Sequence, residues 1–123
     1  MVDKSKVWEA LENLVNFTNA LERLKSKLTP NSLAQISNVF RFDFKDTKQV
    51  FTLDGTDKNG KGWIEGNPES FGLTSNFQIT ITTDDFAKLV FGKLNPMAGM
   101  VSGRMKLKGS IKEALKLDRL LKD

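Results

Sequence analysis

Few side chains in this sequence of 123 residues are suited to chemistry, and several reactive types are missing altogether. Cysteine, histidine and tyrosine are absent, which excludes thiol nucleophiles, imidazole bases and nearly all zinc sites. The neighbouring acids Asp84 and Asp85 are the most suggestive carboxylates that remain. They follow Thr83, and the helix dipole favours acids in the first turn of a helix. We therefore predict no catalytic residue, no metal and no cofactor, with an enzyme that uses these acids or a lysine as the alternative.

One turn imitates the start of a calcium-binding loop. Asp57, Asn59 and Gly62 match the first, third and sixth positions of an EF-hand loop. Lys61 stands where the fifth position needs a ligand, and Pro68 replaces the bidentate glutamate of the twelfth. The sequence therefore predicts a hairpin turn here and no calcium site.

The segment that follows has element boundaries with clear physical signals. Phe77, Ile79 and Ile81 alternate with polar residues, which is typical of a strand with one buried face. Thr83 is predicted to cap a helix, and Gly92 suits the left-handed exit from that helix. The segment is therefore predicted to run from strand to helix.

The boundary signals continue towards the carboxyl end. Asn95 and Pro96 begin another helix in the usual order of cap and proline. A short strand around Met105 follows, and Ser110 with Glu113 forms the capping box of a last helix. The predicted order after residue 76 is thus strand, helix, helix, strand, helix.

Three motifs in this stretch carry a family resemblance. They are Thr80-Ile-Thr-Thr-Asp-Asp-Phe86, Gly92-Lys-Leu-Asn-Pro96 and Gly103-Arg-Met-Lys-Leu-Lys-Gly109. In this order and at this spacing they resemble the lipid-carrier domain of the sterol carrier protein type 2 family. The resemblance implies an α+β fold in which a five-stranded, mostly antiparallel sheet is covered on one face by about five helices. It further implies an enclosed apolar tunnel for a lipid, with the final helix near its mouth.

The first half of the chain adds a long helix and three strands. Apolar residues recur at helical spacing along the amino-terminal third, at Val7, Trp8, Leu11, Leu14, Val15, Leu21, Leu24 and Leu28, together with Thr18. Thr29 and Pro30 end this helix and cap a short second one. Alternating residues from Phe40, from Val50 and from Trp63 predict a meander.

We expect one domain over residues 1–123. Members of the family often begin with a shorter helix, so residues up to about 15 are an extension. We expect this extension to cover the core, and a helix that binds a partner is the alternative.

Charge is concentrated near the carboxyl end. Residues 86–123 carry nine basic and three acidic side chains, whereas the whole chain has a net charge of only +4. A basic segment beside an apolar helix suits transient contact with an anionic membrane surface. Nucleic acid is disfavoured because stacking aromatics are not interleaved with the lysines. A merely solvated surface is the remaining alternative.

The site predictions combine the alternation of residues with the resemblance. The predicted lipid-lining residues are Phe40, Phe42, Phe77, Ile79, Ile81, Phe86, Leu89, Val90, Met100, Met105, Leu115 and Leu120. The predicted contacts to a lipid head group or a membrane are Lys93, Arg104, Lys112, Lys116 and Arg119. Methionine is flexible and adapts to ligands of variable shape.

The predicted function is non-covalent binding and intracellular transfer of a fatty acid, fatty acyl-CoA or sterol. The alternative is an interaction or dimerisation module of the same fold without lipid cargo. We expect a soluble monomer that does not bind nucleic acid, in the cytoplasm or the peroxisome. The carboxyl end Leu120-Leu-Lys-Asp123 is not an S-K-L-type peroxisomal signal.

Overall fold

A computed structural model of the protein describes residues 4–56 and 62–122. Its elements in chain order are α1 (Lys4–Lys27), α2 (Pro30–Ile36), β1 (Val39–Phe44), β2 (Val50–Asp54), β3 (Trp63–Glu65), a 3₁₀ turn (Pro68–Phe71), β4 (Phe77–Ile81), α3 (Thr83–Val90), α4 (Pro96–Val101), β5 (Lys106–Lys108) and α5 (Ile111–Lys122). Most of the turn that imitates an EF-hand lies outside the described residues.

The five strands form one sheet in the order β3-β2-β1-β4-β5. Strands β1 and β4 are parallel, with Phe42 beside Ile79, and the other three neighbouring pairs are antiparallel. The predicted mostly antiparallel, five-stranded α+β fold is therefore confirmed, with a mixed sheet.

The two faces of the sheet differ as the alternation predicts. Phe40, Phe42 and Phe44 of β1 point into the core, where Phe42 and Phe44 meet Phe86 of α3. On the opposite face, Asp43 accepts hydrogen bonds from Arg41 at 3.2 Å and from Gln78 at 2.7 Å. The helices thus pack on the apolar face, and the polar face carries its own hydrogen bonds.

The start of α3 corrects one sequence prediction by a single residue. The cap is Thr82, whose hydroxyl accepts a hydrogen bond from the backbone N–H of Asp85 at 3.1 Å. Thr83 is the first helical residue and is buried, and its hydroxyl donates to Asp46 at 2.6 Å. The Thr83 side chain bonds to Asp46 in the β1–β2 turn, and the neighbouring Thr82 caps the helix instead.

The two helix boundaries that follow were predicted correctly. Gly92 adopts a left-handed backbone conformation with φ of 75° just after Phe91, the residue that caps the end of α3. The Asn95 side chain accepts a hydrogen bond from Ala98 N–H at 2.7 Å and so caps α4, with Pro96 as its first residue.

The predicted capping box of α5 is wrong about the role of Glu113. The Glu113 carboxylate accepts a hydrogen bond from the Asn38 amide at 2.8 Å and pairs with Lys116 Nζ at 3.2 Å. Asn38 precedes β1, so this bond ties the beginning of α5 to the beginning of β1. The Glu113 carboxylate thus bonds to Asn38, which is distant in sequence, and not to the backbone of Ser110 as the capping box predicts.

Helix α1 has two halves with different surroundings. Phe17, Ala20 and Leu24 in the second half are buried in the core. The first half exposes five large apolar side chains, which are Val7, Trp8, Leu11, Leu14 and Val15. The expectation that these residues cover the core is wrong. Their stripe lies on a different side of the helix from the buried residues, because each residue turns the helix by about 100°.

Candidate functional site

A small apolar gap lies inside the protein between β4, α3, α4 and α5. Its lining residues are Ile79, Leu89, Pro96, Met105, Ala114, Leu117, Asp118 and Leu121. The gap has a volume of about 10 Å³. This is at the lower limit of the space that one water molecule needs, so the gap is closed to an acyl chain in this structure. We call this region the aliphatic end of the interior.

The floor and one wall of the gap come from β4 and α4. Ile79 lies in the middle of β4 between Phe42 of β1 and Leu107 of β5. Helix α4 is held against Met105, whose backbone N–H donates to Gly99 O at 3.0 Å. A Cβ atom at Gly99 would lie 3.3 Å from Met105 Cβ, so glycine permits the close approach of α4.

Helix α5 forms the opposite wall. Ala114, Leu117 and Leu121 follow one another at steps of three and four residues, which places them on one side of the helix. All three are buried. The Asn38–Glu113 hydrogen bond fixes the amino end of this wall, and apolar side chains line the gap further along it.

The structure brings only some of the predicted lipid-lining residues together. Ile79, Leu89 and Met105 border the gap. Six others are buried elsewhere in the interior: Phe40, Phe42, Ile81, Phe86, Val90 and Leu120. Phe77 and Met100 are half-buried against the core. Leu115 is 38% exposed on the outer side of α5, away from the gap.

Sequence reasoning missed four apolar residues that border the gap. They are Pro96, Ala114, Leu117 and Leu121. A signal for three of them was available, because Ala114, Leu117 and Leu121 share a helical face that excludes Leu115. The apolar character of the last helix was recognised, but the side of it that faces inward was not.

Interlocked aromatic rings fill the other end of the interior, which we call the aromatic end. It consists of Phe17, Phe42, Phe44, Phe51, Trp63 and Phe86. Phe86 is the centre, with ring centroids 5.2 Å from Phe44, 5.9 Å from Phe42 and 5.8 Å from Phe17. The steep angles between these rings are the edge-to-face geometry that aromatic pairs prefer.

A larger groove runs along α1 beside the β1–β2 turn. It has a volume of about 460 Å³ and is lined by Ala10, Asn13, Leu14, Phe17, Thr18, Leu21, Asp46, Thr47, Gln49 and Thr83. Burial alone would raise the pKa of Asp46. The hydrogen bonds that its carboxylate accepts from Thr83 outweigh this effect and lower the pKa below its usual value. Asp46 is therefore a negative charge at the polar wall of the groove.

The predicted head-group and membrane contacts lie on the surface. Lys93, Arg104, Lys112 and Arg119 are exposed, and Lys116 is half-buried in its ion pair with Glu113. Lys112, Lys116 and Arg119 follow at steps of four and three residues along the outer side of α5, next to the exposed Ile111 and Leu115. This outer side of α5 is therefore both cationic and apolar.

Within the described part of the chain, no helix is long and apolar enough to cross a membrane. Residues 4–56 and 62–122 also contain no group of three or more acidic side chains that could hold a metal ion.

Comparison with known sequences now identifies the family. The sequence model of the SCP-2 sterol transfer family matches residues 17–122, which is most of the chain. The chain belongs to this family. The SCP-2 chain is 28% identical to human hydroxysteroid dehydrogenase-like protein 2 over 92% of its own length and 32% of that protein. It spans about a third or less of the curated relatives that it matches.

Solved structures agree with the fold of this SCP-2 chain. Sterol carrier protein 2 from Yarrowia lipolytica, in its apo form, superposes with a TM-score of 0.64 at 24% identity, covering 82% of this chain and 85% of that one. Sterol carrier protein 2 from Aedes aegypti in complex with palmitate superposes with a TM-score of 0.62 at 17% identity, covering 83% and 94%. At these identities the likeness establishes the fold of the SCP-2 chain alone.

Proposed function

We propose that this SCP-2 chain binds one long-chain lipid non-covalently between its sheet and helices and transfers it between membranes or to enzymes. The observation that carries the proposal is the apolar gap between α5 and β4, where the packing is incomplete. Membership of the family supports it, as does the palmitate in the Aedes aegypti structure of the same fold. A fatty acid is the first candidate, with fatty acyl-CoA or a sterol as further cargo.

Binding requires the walls of the gap to separate. Pockets that hold small ligands measure about 300–1,000 Å³, whereas the gap has a volume of about 10 Å³. Helix α5 is the wall that we expect to move, because it faces the gap mainly with the aliphatic side chains of Ala114, Leu117 and Leu121, which can slide past their neighbours. Met105 and the half-buried Met100 can then change rotamer to follow the ligand.

The energetics are compatible with such an opening. Burial of each methylene group contributes about 0.8 kcal/mol, so a chain of about sixteen carbons provides on the order of 12 kcal/mol before costs. Immobilisation of the lipid and separation of the walls reduce this sum considerably. A net affinity in the micromolar range corresponds to about 8 kcal/mol and remains attainable.

The outer side of α5 is our proposed membrane contact. Exposed Ile111 and Leu115 offer apolar surface, and Lys112 and Arg119 offer positive charge beside it. Each cation near an anionic membrane surface contributes about 1 kcal/mol. The exposure of Leu115 suits this surface better than the lining role that the sequence predicted.

One observation favours a second candidate function. The gap is too small for cargo as it stands, which is what an interaction module without lipid would show. We propose no catalytic activity for the chain itself. We further propose that it acts in the cytoplasm or the peroxisome.

The absence of cysteine from the sequence allows a sharp test of the site. A cysteine introduced as Leu117→Cys lies at the gap, and one introduced as Leu115→Cys lies on the outer side of the same helix. We expect palmitate to bind the wild type saturably at one per chain and to slow thiol modification at position 117 at least fivefold, with little change at position 115. Absence of saturable binding would refute the carrier function. Binding without protection at position 117 would refute this site.

A further inference from the structure

The first half of α1 presents an apolar surface that the fold does not use. We call it the amino-terminal seam and define it as Val7, Trp8, Leu11, Leu14 and Val15. These side chains are between 43% and 70% exposed. They precede residue 17, where the match to the family begins. The seam therefore lies outside the part of the chain that the family model matches.

The spacing of the seam is that of a helix that pairs with another helix. Val7, Leu11, Leu14, Thr18 and Leu21 follow at steps of four, three, four and three residues. This is the heptad spacing of a coiled-coil interface, with Trp8 and Val15 beside it. The neighbours on the buried side of α1, such as Ala20 and Leu24, belong to the core and not to this stripe.

Charge argues against a membrane as the occupant. The sequence of this half of the helix has Lys4 and Lys6 against Glu9 and Glu12, so bases do not exceed acids. Helices that lie on anionic membranes carry an excess of lysine and arginine on their polar side. The seam therefore fits a protein helix with apolar residues at matching positions.

We propose that a second copy of this chain covers the seam, with the two α1 helices antiparallel about a twofold axis near residues 12 and 13. Such an axis places Leu11 against Leu14 of the partner helix and Trp8 near Val15 of the partner helix. A twofold interface uses the same patch on both copies, and here each copy supplies the same apolar stripe.

The area of the seam is compatible with this dimer. The five side chains expose on the order of 500 Å² per copy, and two copies approach the roughly 1,200 Å² at which specific interfaces begin. The groove beside α1 supplies the remainder. Its volume of about 460 Å³ leaves room for the first turns of the partner's α1.

The groove also favours the antiparallel direction. Leu14, Thr18 and Leu21 line it on one side, and Asp46 lies on the other. An antiparallel helix brings its own amino end, with Trp8, to this groove. A parallel helix would instead bring the half of its α1 that is buried in its own core.

The test uses two valine-to-lysine variants. Val15→Lys places a charge in the seam, and Val101→Lys places the same charge on α4, where the valine is 86% exposed. Sedimentation equilibrium from low micromolar to high micromolar concentration should show a dimer for the wild type and for Val101→Lys. Val15→Lys should weaken dimerisation at least tenfold. Its far-UV circular dichroism should stay unchanged, and its thermal midpoint should equal that of the wild type at a concentration where both are monomeric.

Every other outcome contradicts the proposal. A wild type that stays monomeric over this range would refute it and restore the predicted monomer. A dimer unaffected by Val15→Lys would place the interface elsewhere. Vesicle binding by a monomeric wild type that Val15→Lys abolishes and Val101→Lys retains would identify the seam as a membrane contact.

Discussion

The aromatic and aliphatic ends of the interior are packed differently, although the same sheet forms the floor of both. At the aromatic end, Phe86 meets Phe17, Phe42 and Phe44 at steep angles and stacks on Trp63. At the aliphatic end, Met105 and Leu117 border space that no side chain fills. Interlocked rings resist displacement because each is held by several neighbours, whereas flexible aliphatic side chains can rearrange. We infer that the aromatic end maintains the fold and that the aliphatic end admits the ligand.

The largest expected effect comes from removing the centre of the aromatic end. Phe86→Ala should lower the free energy of unfolding by about 3–5 kcal/mol, because the ring is buried among Phe17, Phe42 and Phe44. Chemical denaturation monitored by circular dichroism measures this change.

Phe91→Ala is the matched control for that prediction. Phe91 follows the same helix, is 41% exposed and contacts Arg23 at its face, so its removal should cost less than about 1 kcal/mol. Similar losses for the two variants would mean that the aromatic end is no better packed than the surface, and the comparison would not hold.

The aliphatic end provides the second prediction. Leu117→Ala should lower the free energy of unfolding by about 2–3 kcal/mol, at the lower end of the range for buried leucine, because the residue already borders a gap. The enlarged gap should leave fatty-acid affinity equal to that of the wild type or higher. Denaturation and displacement of a fluorescent fatty acid measure the two quantities.

Leu115→Ala separates the two sides of α5. Leu115 is 38% exposed, so this variant should lose less than about 1 kcal/mol of stability and keep its fatty-acid affinity. If instead Leu115→Ala weakens fatty-acid binding and Leu117→Ala does not, the ligand does not occupy the aliphatic end.

Features that depend on neighbouring residues in the chain could be predicted from the sequence alone. Alternation at Phe40, Phe42, Ile79 and Ile81 identified the buried face of the sheet, because the strand period of two is a local property. The caps at Thr29 and Asn95 were predictable for the same reason, since a side chain bonds to a backbone N–H three residues on. Local signals were sufficient for the elements and for the buried face of the sheet, whereas the fold was expected from the family resemblance.

Choices that depend on distant partners could not be predicted. Thr82 and Thr83 are equal candidates for the cap of α3, and the position of Asp46, 37 residues away from Thr83, decides between them. The side of α5 that meets the gap and the side of α1 that meets solvent are likewise set by tertiary packing. Leu115 and the amino-terminal seam were misplaced for this reason.

A smaller effect concerns the hydrogen bonds that fix α3 at the aromatic end. The Thr83 hydroxyl and N–H both donate to the Asp46 carboxylate, at 2.6 and 3.1 Å. Asp46→Asn should lower the free energy of unfolding by about 1 kcal/mol at neutral pH, because the neutral amide accepts these hydrogen bonds less well. Denaturation at pH 7 tests this.

The pH dependence of that difference has a definite sign. Although burial opposes it, hydrogen bonding from Thr83 lowers the pKa of Asp46 in the folded state. A lowered pKa means that the carboxylate contributes stability above its unfolded pKa and loses that contribution as the pH falls through the folded pKa. The difference in the free energy of unfolding between the wild type and Asp46→Asn should therefore be fully present at pH 7 and shrink as the pH falls below about 4. A difference that grows on acidification would contradict the proposed role of these hydrogen bonds.

The smallest expected effect on stability concerns the outer side of α5, the helix that closes the aliphatic end. Changing Lys112 and Arg119 together to glutamate should alter the free energy of unfolding by less than about 0.5 kcal/mol, because both side chains are exposed. A glutamate at 112 lies in the first turn of α5 and is favoured by the helix dipole, whereas one at 119 lies towards the other end and is disfavoured, so the two effects partly cancel. Lys116 is left intact because it pairs with Glu113.

The same double change should act strongly on transfer. If the outer side of α5 contacts membranes, fluorescent fatty acid should pass from the wild type to anionic vesicles faster than to neutral ones. This advantage should shrink as added salt shortens the Debye length from about 10 Å at 0.1 M to about 3 Å at 1 M. Two charge reversals near the surface correspond to roughly a tenfold or greater loss of the anionic advantage.

The control variant changes Lys106 and Lys108 of β5 to glutamate. It has the same change in net charge on another exposed surface and should retain more of the anionic advantage. Equal losses in both double variants would mean that net charge alone governs transfer, and α5 would then have no special part in delivering the lipid from the aliphatic end.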